Sequence, residues 1–483
     1  MLCRYSSALT TNLHIRCFWQ NSCLAPKKIF NDTLGSVLLN VRFFCKIALK
    51  EDFFMKTIKA ALLGAGTVGT GVIRVFAENG AIISARAHAA VAIKTVLVRD
   101  MSKPRPELNG FSVTDSIEDI LHDEEISIII ELMGGITPAY DYMRQALAAK
   151  KHVVTANKDV VAEYGRELAA LAEENGVRFM FEASVGGGIP IILPLKVSLS
   201  ANRITEIIGI VNGTTNYMLT KMHETRADFA SVLKEAQELG YAEADPTADV
   251  DGLDAARKAA ILSSLAFNTH IPLKAVDVTG IRGIKPLDIE YAKELGYVIK
   301  LLAIGRDTEE KGVEVSVHPT FLPQTHPLAA VNGVFNAIFI RGNAIGEAMF
   351  YGQGAGALPT ASAVTADIIE AAKGIADGFA APTGNIYVDK KKICPVDDTV
   401  SGYYVRLLVD DKPGVLGAIA TAFGTSQVSL KSVMQTKREV PGKAEIVAVT
   451  HTVPHKSISA ALDKLKTLSV VDEIKNVIRV EEC

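Results

Sequence analysis

The sequence predicts an α/β chain in three folded parts, and three observations carry the prediction. Between residues 55 and 180, strand-like runs alternate with helical patterns, the order that builds a parallel sheet covered by helices. The first of those runs feeds directly into Gly64-x-Gly66-x-x-Gly69. Residues 401–483 read β-α-β-β-α-β, a separate ferredoxin-like module. Between them, residues 181–372 mix strands and helices as an α+β substrate and dimerisation domain, and residues 373–400, punctuated by Gly and Pro, read as a linker.

Residues 1–54 stand apart as a leader. Up to Lys50 there are seven Lys or Arg against the single acid Asp32, and four of the six cysteines (Cys3, Cys17, Cys23, Cys45) fall there. Two readings stay open, an organellar transit segment and an extension upstream of a start at Met55. Disorder is expected either way. The body is then a cytoplasmic protein, or an organellar one under the first reading.

From Lys56 an apolar strand, Ile58 to Leu63, runs into the glycine loop and an amphipathic helix to about Glu78. Glycine at 64, 66 and 69 permits a tight turn, close approach of backbone to a pyrophosphate, and close packing of helix on strand. The helix N-terminus at Thr67 and Val68 then faces the phosphates. This is the signature of a Rossmann-type dinucleotide site. A second strand, Ile93 to Val98, ends in Arg99-Asp100, with Lys103 and Arg105 following. An acid at that position holds the ribose 2′-hydroxyl, whereas a nearby Arg suits a 2′-phosphate. Arg99 leans toward NADP and leaves NAD open.

A third strand, Ile126 to Glu131, leads to Gly134, and a fourth, His152 to Thr155, ends in Asn157-Lys158. Ligands of open parallel sheets bind beyond the strand carboxyl ends, where Gly134, Asn157 and Lys158 all lie, and Lys158 is placed where a nicotinamide is expected. Then FMFEASVGGGIPIILPL brings a strand against three glycines and a proline, turning the backbone sharply beside Glu182. A carboxylate with free carbonyls is a candidate hard-cation site, and a tight interdomain turn is the alternative. Farther on, DIEYAKELGYVIKLLAIG reads as one helix, and the glycines from Gly352 to Gly356 precede a helix from near Pro359 that returns to the cofactor domain.

The stretch Ala236 to Lys258 concentrates the chemistry. A helix stops at Gly240, a loop carries Glu243, Asp245, Asp249 and Asp251, and a second helix opens with Asp254 and Lys258. Four residues apart, Asp254 and Lys258 share a helix face. In isolation such a spacing is an ordinary ion pair. Four acids in one loop, however, repel one another unless solvent or a ligand cation offsets them.

These residues resemble homoserine dehydrogenase with a C-terminal ACT domain. Ala236, Gly240, Tyr241, Ala242, Asp245, Pro246, Asp249, Val250, Gly252, Asp254 and Lys258 match the family signature throughout, and GAGTVG, ANK, FEASVGGGIP, VNGTTNYML and GAGALPTASAV extend the likeness from Met55 to the end. The resemblance implies reversible interconversion of L-homoserine and L-aspartate 4-semialdehyde with NAD or NADP, in threonine, methionine and isoleucine biosynthesis. It makes Lys258 the general acid/base, Lys158 its neighbour, Glu243 and Asp254 the substrate holders, and Asp249 the residue orienting the lysines or a water. It implies cofactor contacts from Gly66 to Val68, Gly134, Gly240 and Gly356, and a sodium ion held by Glu182, Val185, Gly187 and Ile189. ACT modules bind small amino acids where two copies pair. Asp411 to Gly417 matches their first loop, so a homodimer or homotetramer with threonine as effector is expected.

Composition agrees with this class. With 48% apolar and 22% charged residues the chain reads as globular, and a net charge of −3 argues against a nucleic-acid partner. No apolar run reaches the 18 or so residues of a membrane span. Neither Cys394 nor Cys483 has the neighbours of a metal site. Two rival readings, a hydroxy-acid dehydrogenase with the same tail and an inactive amino-acid sensor, fit less well. The histidines are not placed for the first, and Lys158, Glu243, Asp254 and Lys258 are all present against the second.

Overall fold

In the computed structural model, residues 56–379, 387–388, 390–435 and 441–482 are described. The leader, residues 1–54, and part of the linker lie outside them.

The first part is a six-stranded parallel sheet of β1 (Thr57–Leu63), β2 (Ala90–Leu97), β3 (Ser112–Thr114), β4 (Ile126–Glu131), β5 (His152–Thr155) and β6 (Phe179–Met180). Its strand order is β3-β2-β1-β4-β5-β6. Ala60, Leu62, Ile128 and Ile130 are fully buried, as expected of strands covered on both faces. The order reverses direction at β1, so the crevice beyond the ends of β1 and β4 is where a ligand fits. The helix after the glycine loop runs Thr67–Ala87, longer than the sequence pattern suggests. It packs against the helix Ala357–Ala376 so closely that a Cβ on Gly71 would lie 2.7 Å from the Ala357 carbonyl.

The remaining strands form one eleven-stranded sheet. They are β7 (Ile204–Ile210), β8 (Asp277–Val278), β9 (Tyr297–Thr308), β10 (Gly312–Pro323), β11 (Phe335–Gly342), β12 (Gly346–Gln353), β13 (Val400–Asp410), β14 (Leu430–Gln435), β15 (Lys443–Thr450), β16 (Val453–Pro454) and β17 (Val471–Val480). The main path runs β12-β11-β7-β9-β10-β17-β13-β15-β14, with β8 beside β10 and β16 beside β13. One expectation is corrected here. The run read as a single helix splits into a helix, Pro286–Glu294, and the strand β9. Gly296, at φ +82°, ends the helix. Beyond it Ile299, Leu301 and Leu302 are buried and Val298 partly so, on both faces of the strand, and such a pattern does not separate strand from helix.

The C-terminal module is not a free bead on a linker. β17 pairs with β10 in parallel, Thr320 with Arg479 and Phe321 with Val480. Phe321 also stacks on Tyr404 with centroids 4.5 Å apart. Beside them the fully buried Asp288 carboxylate accepts from Arg406 Nε at 2.8 Å, Tyr404 Oη at 3.0 Å and Asn476 Nδ2 at 2.7 Å. Among the described residues no helix is long and apolar enough to cross a membrane.

Where β6 leaves the first sheet, the Glu182 amide donates to Asp367 Oδ2 at 2.8 Å from the helix Ala357–Ala376. Burial, then the nearby Glu182 charge, pushes the Asp367 carboxyl up to about 7. A folded-state value above the unfolded one, near 4, adds stability below pH 4 and loses it as pH rises through 7. Asp367→Asn is therefore expected to gain stability over the parent protein between pH 5 and pH 9, on the order of a few kcal/mol across that window. Thermal unfolding at several pH values reads it; parallel curves for the two proteins would contradict the assignment.

Candidate active site

The site lies between the carboxyl ends of the parallel sheet and the acidic loop, and each end is built by local rules. Gly64, at φ +97°, places its Cα against Leu132, where an added Cβ would stand 2.9 Å from the Leu132 carbonyl. A Cβ on Gly69 would stand 2.2 Å from the Gly64 carbonyl. Gly66 and Gly134, by contrast, face open space, as does Gly240. The first two glycine positions thus shape the turn, and the open ones leave room for a ligand against bare backbone. Gly356, at φ +125°, opens the helix Ala357–Ala376. Arg99 is exposed at the end of β2, while Asp100 is occupied by the Ser102 amide at 2.9 Å and hydroxyl at 2.6 Å.

Glu131, which the sequence reading left without a role, and Asn157 hold these loops. Glu131, buried at the end of β4, accepts from the Met133 amide at 2.8 Å and the Thr155 hydroxyl at 2.6 Å. Asn157 donates to the Gly135 carbonyl at 2.7 Å and caps the helix Lys158–Glu174 through the Val160 amide. That cap sets the first residue of the helix, Lys158, at the mouth of the site.

Lys258 arrives from the helix Leu253–Ala266, which the Arg257–Asp159 pair at 2.6 Å ties to the Lys158 helix. The two lysines then meet on one carboxylate. Asp254 Oδ2 accepts from Lys258 Nζ at 2.7 Å, and Oδ1 lies 3.4 Å from Lys158 Nζ. Asn212 Nδ2 adds a bond to Asp254 Oδ2 at 3.0 Å and one to Asp249 Oδ1 at 2.7 Å. Lys258 Nζ also donates to the Val211 carbonyl at 2.7 Å. Burial by itself raises the Asp254 carboxyl, but Lys258 and Lys158 outweigh it and hold it down at about 2. Burial pushes the Asp249 carboxyl up, against its Asn212 hydrogen bond, and the Asp254 charge adds to the push.

Both oxygens of Asp254 face lysines within the chain, which engages it with the lysine pair. Glu243 is the opposite case. It is exposed, and among the described residues no hydrogen bond or ion pair engages its carboxylate. Asn212, which joins Asp249 to Asp254, was not singled out from the sequence. The signal was there: an Asn after the strand run EIIGIV, opening the helix Gly213–Thr225 as its cap, with the Thr215 amide at 2.8 Å.

At the glycine turn the Glu182 carboxylate accepts from the amides of Ile191 at 2.6 Å, Ile192 at 2.8 Å and Leu193 at 2.6 Å. It caps a helical turn there. Gly186 and Gly187 follow at φ +75° and +55°, and Gly187 is pressed against the Gly354 carbonyl. Val185 and Ile189 are buried around them. Among the described residues no three His, Cys, Asp or Glu side chains group as a metal site.

Taken together, fold and site define a class, the nicotinamide-dependent oxidoreductases, with lysines and carboxylates in place of a histidine base. Comparison with known proteins makes the class particular. Residues 64–182 match the NAD-binding domain family of homoserine dehydrogenase, residues 190–369 the homoserine dehydrogenase family, and residues 403–470 the ACT domain. The homoserine dehydrogenase of Synechocystis is 46% identical over 435 residues, 88% of this chain and 99% of its own length. The solved homoserine dehydrogenase of Thiobacillus denitrificans is 40% identical with a TM-score of 0.85, covering 89% of this chain and 99% of its own. A hyperthermophilic archaeal homoserine dehydrogenase solved with NADPH is 29% identical with a TM-score of 0.56, covering 65% of this chain and 97% of its own. The chain belongs to the homoserine dehydrogenase family and carries a C-terminal ACT domain.

Proposed function

We propose that the chain interconverts L-homoserine and L-aspartate 4-semialdehyde, with the Lys158–Asp254–Lys258 bridge as its catalytic centre. That bridge is the observation that carries the reading. As hydride reaches the aldehyde carbon, negative charge develops on its oxygen, and an ammonium there stabilises it and supplies the proton. Lys258 has three N–H donors. Two are directed at Asp254 and Val211, which leaves one for the reacting oxygen. Lys158 adds a second positive charge at the same place. Asp254 and Asn212 position both lysines, and the exposed Glu243, with Asp249 behind it, receives the substrate ammonium.

A dinucleotide, when bound, would supply or take the hydride. Gly64 to Gly69 would hold its pyrophosphate, with Gly134, Gly240 and Gly356 lining the way to Lys158. NADP is the preferred form, because Arg99 is exposed where a 2′-phosphate lies while Asp100 is engaged locally. A sodium ion at the glycine turn would be held by Glu182 with the backbone of Val185, Gly187 and Ile189, with no part in proton or hydride transfer. Initial rates with homoserine and each cofactor test this reading. A higher kcat/KM with NADP supports it, and a preference for NAD removes Arg99 from the site.

The chain serves threonine, methionine and isoleucine synthesis in this reading, with threonine acting through the ACT domain. Its loop Asp411 to Gly417 opens the helix Val415–Thr425, whose first amides suit a carboxylate. The two free edges of the long sheet, β12 and β14, expose Met349, Tyr351 and Val433 and suit pairing of copies into a dimer or tetramer. Because β17 is hydrogen-bonded to β10, cutting the ACT domain away would expose a strand edge of the substrate domain, so a point substitution is the cleaner probe. A Cβ on Gly417 meets nothing within 4 Å. Gly417→Glu is expected to raise the threonine concentration for half-inhibition about tenfold with unchanged basal turnover. Equal inhibition of both proteins would take this loop out of the effector site.

A further inference from the structure

One cavity lies away from the active site. It holds about 560 Å³ where the long sheet passes from the catalytic part into the ACT domain. Its walls come from β7, the β9–β10 hairpin, the chain at Cys394 to Gly402, and the C-terminal end of β17. The catalytic side contributes Glu206, Glu309, Glu310 and Glu314. The ACT side contributes Asp398, Glu481 and Glu482, and the lining cations are Arg306 and Lys311 alone.

Most of these carboxylates have partners inside the chain. Arg306 lies between Glu206 and Glu481, and Arg341 reaches Glu206 at 3.0 Å. Arg203 pairs with Glu309, Lys456 with Asp398 at 3.1 Å, and Lys431 with Glu482 at 3.2 Å. Glu314 and Glu310 remain. Glu314 is 5% exposed, and its Oε1 has no hydrogen-bond partner among the described residues, Arg479 Nη1 at 3.8 Å being too distant. A buried carboxylate oxygen without a hydrogen bond costs stability, which the nearby Arg306 and Arg479 charges offset only in part. Burial pushes this carboxyl up despite Arg306 and Arg479. Glu310 is exposed, four residues along the same hairpin, and no ion pair engages it among the described residues.

We propose that this cavity is a ligand site, separate from the active site and from the Asp411–Gly417 loop, for a small organic compound bearing two or more ammonium groups. One ammonium binds Glu314 at the floor and another faces Glu310 at the mouth. The acids are spread around the cavity and no three of them group as a metal site, so an extended organic cation fits where a single metal ion does not. The apolar Val400 and Val480 in the wall suit the methylene chain between the charges.

Arg479, beside Glu314, bonds Asp277 Oδ2 at 2.7 Å, and Asp277 also meets His318 Nε2 at 2.9 Å. Asp277 begins β8. Three residues on, a Cβ on Gly280 would stand 2.2 Å from the Val250 carbonyl, and the Ile281 amide donates to that same carbonyl at 2.8 Å. Glu314 thus stands near the residues that pack against the segment carrying Asp249.

Calorimetric titration of the full chain with 1,4-diaminobutane tests the proposal, with ethylamine and magnesium chloride in parallel. Saturable binding is expected, at least tenfold weaker in Glu314→Gln and in the exposed Glu310→Gln, and at least tenfold weaker for ethylamine. Homoserine turnover in Glu310→Gln without ligand should be unchanged. If Glu314→Gln fails to fold, Glu310→Gln carries the comparison. No saturable binding, or equal binding by both variants and the parent protein, overturns the site. Magnesium binding of the same strength overturns the ligand class.

Discussion

Lys258→Ala is expected to lower kcat by about 10²–10⁴-fold while changing the dissociation constant of NADP no more than about twofold. Lys258 Nζ is fixed by Asp254 and Val211, both at 2.7 Å, and its side chain is only 12% exposed. A buried ammonium held this way acts where water is largely excluded, and there an aimed charge is worth far more than in solvent. No other group can take its place. Lys158 is held off by Asp254, and its more exposed side chain is the partner of the opposite oxygen. The glycine loop that receives the dinucleotide lies on another element and keeps its form, which is why cofactor affinity is spared. Steady-state kinetics and a fluorescence titration of the cofactor read the two quantities. Turnover within tenfold of the parent protein would remove Lys258 from the reacting oxygen.

The second large effect is expected at Asp254. Asp254→Asn keeps the shape and removes the charge that holds two ammonium groups beside each other. Breaking a buried ion pair on one side costs about 3–5 kcal/mol, so a fall in thermal stability accompanies the kinetic loss. The carboxyl is held at about 2, below its unfolded value, so its stabilisation is present above pH 4 and lost only as pH falls through 2. The stability difference between variant and parent is therefore constant from pH 5 to pH 9. In kinetics, kcat should fall by about a hundredfold and KM for homoserine change little, since Asp254 acts through the lysines. A large rise in KM with kcat spared would return Asp254 to the role of substrate holder that the sequence suggested.

What could be read from the sequence was mostly local. The glycine loop, the ends of β4 and β5 and the acidic loop each announce themselves within a few residues, because turn geometry and helix starts are set by near neighbours. The signature carrying Asp254 and Lys258 showed that the two share a helix face. It did not show that Lys158, a hundred residues earlier, takes the other oxygen of the same carboxylate, since that contact depends on two domains meeting. Glu182 is a related case: its charge suggested a cation ligand, and the folded chain adds three amides from Ile191 to Leu193 turned toward it. The strand β9 was hidden by its own hydrophobicity, because a run buried on both faces carries no period. The joining of β10 to β17 was invisible for the plainest reason: the paired residues are far apart in the chain and each strand reads as complete without the other.

The most direct test of the lysine–aspartate–lysine centre is a double-mutant cycle on kcat/KM for homoserine, using Lys158→Ala, Asp254→Asn and the two combined. If Asp254 works by holding the lysines, the losses overlap, and the double variant is little worse than Asp254→Asn alone. Losses that add fully, each residue contributing as though the other were unchanged, would contradict a shared centre and leave Asp254 and Lys158 as independent contacts.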